Sequence, residues 1–370
     1  MQPIHMAGPW ITEHEIRVVE DCMRNGWYNY DYVEKLQREF AAYHGRKFGI
    51  MTPNCTTALH LLLTALGIGD NDEVVVPDCT WIGSSAAIHY LRATTVFSDI
   101  EAVNWCMDPD SLERSITSRT KAIIAVGLFG NMPRMDELLR IAERHGIPLI
   151  EDAAEALGST YKGVRAGKFG VASVFSFHRT KTMVMGEGGM LLLDDQELYE
   201  RCMFLRDHGR KPDGPAYYCF EVTYKYMPFN LQAAMGYAQF QRLDELVQKK
   251  RWIFDQYKLR LADIDDIRFN AEPEGGFNSV WITGLLLGKS YRMTKLEMIE
   301  RLRAFGVPAR PFFYPLSSLP AYPDMEPIYR PRNPVAYDIC SRGINLPGAL
   351  ILTEAQIDSV CKGVRKVLVP

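Results

Sequence analysis

The sequence predicts an α/β fold with a large domain at residues 1–240 and a small α+β domain at residues 241–370. Short apolar runs alternate with amphipathic helical segments through the first two hundred residues, as in βα units that build a mostly parallel mixed sheet. The pattern changes to α+β in the last hundred residues. Between the two lies a segment at 224–261 in which no glycine or proline follows Gly236, which predicts a long spine helix.

The individual elements follow from periodicity and from cap and turn residues. Thr12 precedes the first helical stripe and Glu15 stands three positions later, which predicts a capping box. The predicted helices are 12–23, 33–43, 58–66, 82–90, 109–116, 135–145, 195–207, 224–261, 294–305 and 353–367. The predicted strands are 48–51, 74–77, 95–98, 122–126, 149–150, 172–177, 190–193 and 279–287.

Chemically useful residues are concentrated between positions 148 and 194. One apolar run ends in Asp152, a second carries Ser176 near its end, and Lys181 follows before a glycine turn at 186–189. Since parallel strands deliver such residues to one sheet edge, the set suits pyridoxal phosphate (PLP). Asp152 would keep the pyridine nitrogen protonated, Ser176 would bind the phosphate, and Lys181 would hold the cofactor as a Schiff base.

Composition excludes several classes of protein. The chain has 370 residues, 47% hydrophobic and 24% charged, with a net charge of −3, so nothing favours nucleic acid or an anionic membrane as a partner. No apolar run is long enough for a membrane span, and the N-terminus lacks a secretory pattern. The eight cysteines are scattered without a C-x-x-C pair, which predicts a cytoplasmic protein with reduced thiols and no metal site. No G-x-G-x-x-G motif follows the first strand, which disfavours a dinucleotide dehydrogenase.

Three ordered motifs carry a family resemblance: E-D-A-A-E at 151–155, F-S-F-H-x-x-K at 175–181 and G-E-G-G-M at 186–190. They resemble the core motifs of the DegT-type sugar aminotransferases, which are fold-type I PLP enzymes, and the likeness extends over residues 9–367. Within that family the chain is most similar to the GDP-perosamine synthases. The resemblance implies an L-glutamate donor and a keto sugar nucleotide acceptor, such as GDP-4-keto-6-deoxymannose. It also implies a homodimer with shared active sites.

The resemblance also assigns residues. Small and hydroxyl residues at a helix start present donors to an anion, so Cys55 and Thr56 are candidates for the phosphate cradle, although the family usually has glycine at the first of these positions. Trp81 would stack on the cofactor ring or else anchor the following helix. Lys225 would reach the neighbouring subunit's phosphate or else be a solvated lysine. The candidates for substrate contact are Glu155, Tyr28, Arg310 and Tyr314, with a position facing the cofactor as the alternative for Glu155.

Other functions remain open from the sequence. Tyr314 and Ser317 stand where relatives carry two histidines near the substrate, so the chain departs from the family pattern at this point. The acceptor could be a keto-cyclitol or another small ketone. A PLP-dependent sugar dehydratase is disfavoured because in that branch histidine replaces the lysine. A non-catalytic regulator of this fold is disfavoured by the intact set of Asp152, Ser176 and Lys181.

Overall fold

The structure is a computed structural model that describes residues 3–272 and 274–369. Its strands are β1 Phe48–Thr52, β2 Glu73–Pro77, β3 Thr94–Ser98, β4 Thr120–Val126, β5 Leu149–Asp152, β6 Thr160–Tyr161, β7 Val164–Arg165, β8 Ala172–Ser176, β9 Gly189–Leu193, β10 Ile267–Phe269, β11 Gly276–Phe277, β12 Gly284–Leu287, β13 Arg310–Pro311 and β14 Gly343–Asn345. Its α-helices are α1 Glu13–Asn25, α2 Asp31–Tyr43, α3 Cys55–Ala65, α4 Gly83–Tyr90, α5 Pro109–Ser115, α6 Met135–His145, α7 Gln196–Arg206, α8 Asn230–Phe240, α9 Leu243–Arg260, α10 Lys295–Ala304, α11 Glu326–Tyr329, α12 Pro334–Arg342 and α13 Glu354–Leu368.

A seven-stranded mixed sheet forms the centre of the molecule, with strand order β1-β9-β8-β5-β4-β2-β3. The five strands from β3 to β8 in this order pair in parallel. Only β9 runs antiparallel to its neighbours β8 and β1. The α/β class and the mostly parallel sheet predicted from sequence are therefore confirmed.

Both faces of this sheet are covered, which explains why its strands read as continuous apolar runs. In β4, Ile123 and Ala125 point into one core cluster, and the residues between and beside them, Ala122, Ile124 and Val126, point into the other. Since neighbouring side chains of a strand alternate between faces, the middle of such a strand is buried on both sides, and polar groups are concentrated near its ends. Asp152 lies at one such end.

The C-terminal part of the chain forms a second, four-stranded sheet with order β10-β12-β14-β13, in which all pairs are antiparallel. Leu285 and Ile344 of this sheet pack into one cluster with Tyr257 of α9, Met298 of α10 and Val360 of α13. A small three-stranded sheet, β11-β6-β7, connects residues near 160 with residues near 276.

Two sequence predictions about this region were wrong. The predicted helix at 224–261 is two helices, α8 and α9, which are interrupted at Gln241 and Arg242. At this interruption the Arg242 guanidinium donates to Glu15 Oε1 and to the Trp10 carbonyl oxygen, which ties the junction of the two helices to the N-terminal segment. The capping box of Thr12 and Glu15 itself is present as predicted.

The predicted strand at 279–287 is also shorter than expected, because only Gly284–Leu287 is extended and paired. Val280 has a left-handed backbone with φ of 55°, and its amide donates to Asn278 Oδ1 at 2.6 Å. This turn removes residues 279–283 from the predicted strand. It leaves Trp281 on a loop beside the large sheet.

Candidate active site

Lys181 lies in the loop between β8 and β9, at the edge of the large sheet where β5 ends in Asp152. Its Nζ donates to Glu155 Oε1 at 3.1 Å, and the two side chains are only 13% and 5% exposed. An ion pair with so little solvent contact is screened weakly, so each partner holds the other in a defined position. Glu155 was expected from sequence near the cofactor or substrate, and the structure places it against the lysine.

Trp281 forms a second contact with the same amine. Lys181 Nζ lies 3.8 Å from the centre of the indole ring, within the range of a cation–π interaction. The indole Nε1 donates to the carbonyl oxygen of Thr180 at 2.7 Å, so the ring is tied to the backbone next to the lysine. Sequence reasoning missed this residue because nothing in its local pattern connects a loop tryptophan with a lysine from another part of the chain.

Phe129 completes the surroundings of the lysine. Its backbone amide donates to the other Glu155 oxygen, Oε2, at 2.9 Å. Its ring stacks on Trp281 with centroids 6.2 Å apart. Phe129 has a left-handed backbone with φ of 53°, a conformation that costs free energy in a non-glycine residue. Burial raises the pKa of Glu155, whereas the Lys181 ammonium and the Phe129 amide favour its ionised form.

The Asp152 carboxylate is buried and oriented by two donors. Ser84 Oγ donates to its Oδ2 at 2.7 Å, and the Ala154 amide donates to its Oδ1 at 3.1 Å. Burial raises the pKa of Asp152, and the bond from Ser84 opposes that shift. Ser84 was not singled out from sequence, although a hydroxyl in the first turn of the helix after β2 is a recognisable signal for a residue at the sheet edge.

The start of α3 provides donors for an anion. Asn54 caps the helix by accepting from the Thr57 amide at 2.9 Å. The amides of Cys55 and Thr56, the first two of the helix, have no acceptor in the described part of the chain. Helix N-terminal amides combined with the helix dipole favour a phosphate.

Close backbone approaches bring the other predicted cradle residues to this point. A Cβ added to Gly189 would lie 2.6 Å from the Cys55 amide nitrogen, so only glycine lets the start of β9 approach α3. Ser176 pairs with Gly189 across the β8–β9 ladder. A Cβ at Gly83 would lie 3.1 Å from Thr56 Oγ1 and 2.9 Å from Cδ1 of Trp81, so both of these side chains lie next to Gly83.

Four residues that were predicted to contact the cofactor or the substrate do not contact Lys181 or Asp152 in the described part of the chain. Lys225 Nζ pairs with Asp207 at 2.8 Å, and the lysine is half exposed. Tyr28 is almost completely exposed. Arg310 is an exposed residue of β13 whose charge acts on His178, next to the lysine loop. Tyr314 is partly exposed, and the Lys295 ammonium lies 3.6 Å from the centre of its ring.

The donor set fits pyridoxal phosphate. At one sheet edge, the buried Asp152 carboxylate suits the pyridine nitrogen, and the Lys181 amine suits the aldehyde. The unpaired amides at the start of α3 suit the phosphate, and the indole of Trp81 suits the face of the ring. No group of three or more His, Cys, Asp or Glu side chains within residues 3–272 and 274–369 is arranged to hold a metal ion. Of the helices described, none has the length and apolar composition needed to cross a membrane.

Comparisons with known proteins identify the family of this chain. The sequence model of the DegT/DnrJ/EryC1/StrS aminotransferase family matches residues 9–365. The chain is 36% identical to a GDP-perosamine synthase of Caulobacter vibrioides over 369 residues, which covers 99% of this chain and 98% of the relative. It is 34% identical to a GDP-perosamine synthase of Escherichia coli O157:H7, with 99% of both chains covered. Among solved structures, the PLP-form of the putative sugar aminotransferase Spr1654 from Streptococcus pneumoniae matches with a TM-score of 0.91, 29% identity and coverage of 99% and 98%.

Proposed function

Because the chain belongs to the DegT/DnrJ/EryC1/StrS aminotransferase family, we propose that it transfers an amino group from L-glutamate to a keto sugar nucleotide with pyridoxal phosphate as cofactor. The acceptor is a 4-keto-6-deoxyhexose nucleotide such as GDP-4-keto-6-deoxymannose. The observation that carries this proposal is the convergence of Asp152, Glu155 and Lys181 at one edge of the sheet. The identity of about a third to two GDP-perosamine synthases over nearly the whole chain supports the sugar and the nucleotide.

The described residues would hold the cofactor as follows. Asp152 would pair with the pyridine nitrogen, and the amides of Cys55 and Thr56 with the Ser176 hydroxyl would bind the phosphate. Trp81 would cover the ring, and Lys181 would bond to the aldehyde carbon. When bound, the cofactor supplies an electron sink for the negative charge that develops on the carbon being deprotonated.

Residues of this chain then transfer the proton. Lys181 Nζ removes the proton from the α-carbon of the amino donor, and in the second half of the reaction it delivers a proton to the former carbonyl carbon of the sugar. Glu155 and Trp281 keep this amine within reach of both positions. The bonds from Ser84 and the Ala154 amide favour the ionised form of Asp152 and oppose the effect of its burial on the pKa. The aromatic rings of Trp81 and Trp281 exclude water from the reacting atoms.

We propose a homodimer in which the two active sites are shared. Trp27 and Phe229 are exposed and contact each other edge to face with centroids 5.3 Å apart, next to the fully exposed Tyr28. Exposed aromatic groups of this kind favour an interface with another protein surface. In the dimer, Lys225 of one protomer would exchange Asp207 for the cofactor phosphate of its partner. Mass measurement in solution tests the dimer, and weaker cofactor binding by Lys225→Ala tests the exchange.

The central experiment replaces the lysine. Lys181→Ala and Lys181→Arg should each abolish the absorbance of the lysine-linked cofactor and reduce turnover to background, whereas Lys121→Ala, an exposed lysine of β4, should retain both. Retained turnover in the Lys181 variants would refute the assignment.

The substrate is tested with a panel of 4-keto-6-deoxy sugars carrying GDP, UDP or dTDP, together with a keto-cyclitol, in the presence of glutamate. Mass spectrometry distinguishes amination from dehydration, because amination replaces the keto oxygen of the sugar by an amino group, whereas a dehydratase product would have lost a hydroxyl group without gaining nitrogen. Turnover of only the keto-cyclitol would overturn the sugar assignment. Absence of any bound cofactor in the purified protein would favour a non-catalytic regulator.

A further inference from the structure

Two buried thiols face each other in the core cluster that also contains Phe129. Cys79 Sγ and Cys340 Sγ lie 3.2 Å apart, and neither residue is more than 1% exposed. Cys79 belongs to the segment between β2 and α4, and Cys340 belongs to α12 near the end of the chain. The two sulfur atoms therefore bring distant parts of the sequence into direct contact.

The backbones on both sides of this pair are fixed. The Asp78 carboxylate, adjacent to Cys79, accepts from the Ser317 amide at 2.8 Å and from the side chain of Asn333 at 2.9 Å. Asn333 directly precedes α12. The first amides of α12, at Val335 and Ala336, donate to the buried Asp99 carboxylate at the end of β3. Because α12 is attached in this way, Cys340 is held in position opposite Cys79.

The surroundings determine when the pair can react. Burial raises the pKa of Cys340 well above its ordinary value, and the nearby Lys295 ammonium acts in the opposite direction. Since thiolates and not thiols react with oxidants, the pair is inert while α12 is in place. However, α12 is a surface helix whose Pro334 and Ser341 are exposed, so local opening of this one helix gives an oxidant access.

We propose that Cys79 and Cys340 are a reversible oxidation site, at which a peroxide converts the thiol pair into a disulfide that links the β2–α4 segment to α12. One thiolate attacks the peroxide, and its O–O bond is broken with release of water, which leaves a sulfenic acid. The second thiol displaces the hydroxyl group as another water and forms the S–S bond. The two sulfur atoms thus lose two electrons together, one peroxide becomes two waters, and a dithiol reverses the reaction.

The link would have a structural effect near the lysine site. Cys79 stands two positions before Trp81, whose indole lies next to Gly83 at the start of α4. A covalent bond between Cys79 and Cys340 would restrict local opening of the β2–α4 segment and of α12 in the folded protein. Because the bond would also close a long loop of the chain, it would reduce the conformational entropy of the unfolded state. The oxidised protein is therefore expected to unfold several degrees above the reduced protein.

The test uses the full-length, cofactor-loaded protein treated with hydrogen peroxide, then denatured and alkylated with N-ethylmaleimide for peptide mapping. The expected result is a dithiothreitol-sensitive cross-link between the peptides that contain Cys79 and Cys340, and two fewer alkylated thiols in each chain. Cys79→Ser and Cys340→Ala should each abolish the cross-link and the rise in melting temperature. Cys202→Ser and Cys361→Ser remove other buried thiols, which have no thiol neighbour, so both variants should still form the cross-link and show the rise in melting temperature.

Two results would overturn the proposal. One is full alkylation of Cys79 and Cys340 after the exposed Cys219 has been oxidised. The other is a cross-link that joins Cys79 to the third buried thiol nearby, Cys106, instead of Cys340.

A low concentration of urea, below the unfolding transition, should accelerate formation of the cross-link several-fold, because opening of α12 limits its rate. A rate that is independent of urea would contradict this access route.

Discussion

Trp281 covers the Lys181 amine from one side, with Nζ 3.8 Å from the centre of the indole ring, while Glu155 holds the same amine from another side at 3.1 Å. Phe129 joins the two partners, because its amide binds Glu155 and its ring stacks on Trp281. The position of the lysine is therefore determined by a closed ring of contacts between the large sheet and a loop of the C-terminal region.

Replacing Trp281 tests this arrangement. Trp281→Leu should lower kcat by roughly three- to thirty-fold, because the amine loses the aromatic face that fixes its position during proton transfer. KM for glutamate should change little, since the ring contacts the lysine. Trp281→Phe retains an aromatic face and should recover part of the loss. Steady-state kinetics with a saturating keto sugar nucleotide measure both parameters.

The chain contains a matched control. Lys249 Nζ lies 3.7 Å from the ring of Trp252 on α9, a contact of the same kind outside the site. Trp252→Leu should leave kcat unchanged. Equal losses in the two leucine variants would show that the effect of Trp281 is a general loss of packing.

Glu155 has a separable effect on the same amine. Glu155→Gln removes the charge but retains an oxygen that can accept from the Phe129 amide, so the fold should be preserved while kcat falls by about ten- to a hundred-fold. Glu155→Ala should be more severe because it also leaves that buried amide without an acceptor. Glu187→Gln, which changes an exposed carboxylate of the same loop region, serves as the control. Unchanged kcat in Glu155→Gln would contradict a role for the ion pair.

Asp152 and Ser84 should act on cofactor binding. Asp152→Asn removes the charge that pairs with the pyridine nitrogen, and turnover should fall by about a hundred-fold or more. Ser84→Ala removes one donor to the carboxylate and should weaken cofactor binding by about ten-fold, as measured by absorbance titration of the apoprotein. Ser85→Ala alters a hydroxyl that bonds to Tyr322, so it should lower stability without changing the cofactor titration. A titration of Ser84→Ala identical to that of the unmodified protein would exclude its role.

The sequence was informative where chemistry and strand pattern coincide. Asp152 and Lys181 could be singled out because each follows an apolar run that could only be a buried strand, and parallel strands place their ends at one edge. Trp281 and Phe129 could not, because Phe129 has a left-handed backbone and Trp281 directly follows the left-handed Val280, and these turns bring distant segments together. The helix interruption at Arg242 was missed for a similar reason, since Arg242 bonds there to Glu15, more than two hundred positions away, and no local pattern indicates that contact.

Glu151 predicts a dependence of stability on pH. This carboxyl is fully buried beside Asp152, and burial raises its pKa to about 7 from an ordinary value of 4.5. One oxygen, Oε2, accepts from the Phe169 amide at 3.0 Å, whereas Oε1 has no partner in the described part of the chain. The folded protein therefore binds a proton here that the unfolded chain has already released at neutral pH.

The sign of the effect follows from this raised pKa. The stabilisation from Glu151 is fully present below pH 4.5 and is lost as the pH rises through about 7, where the folded protein must carry a buried charge. The difference between the two limits is roughly 3 kcal/mol. Glu151→Gln keeps an acceptor for Phe169 and cannot ionise, so it should be more stable than the unmodified protein at pH 8.5 and lose most of that advantage at pH 5.5. Urea unfolding at both pH values measures the difference, and Glu143→Gln, an exposed residue of α6, should show none. An equal offset at both pH values would mean that Glu151 does not titrate in this range.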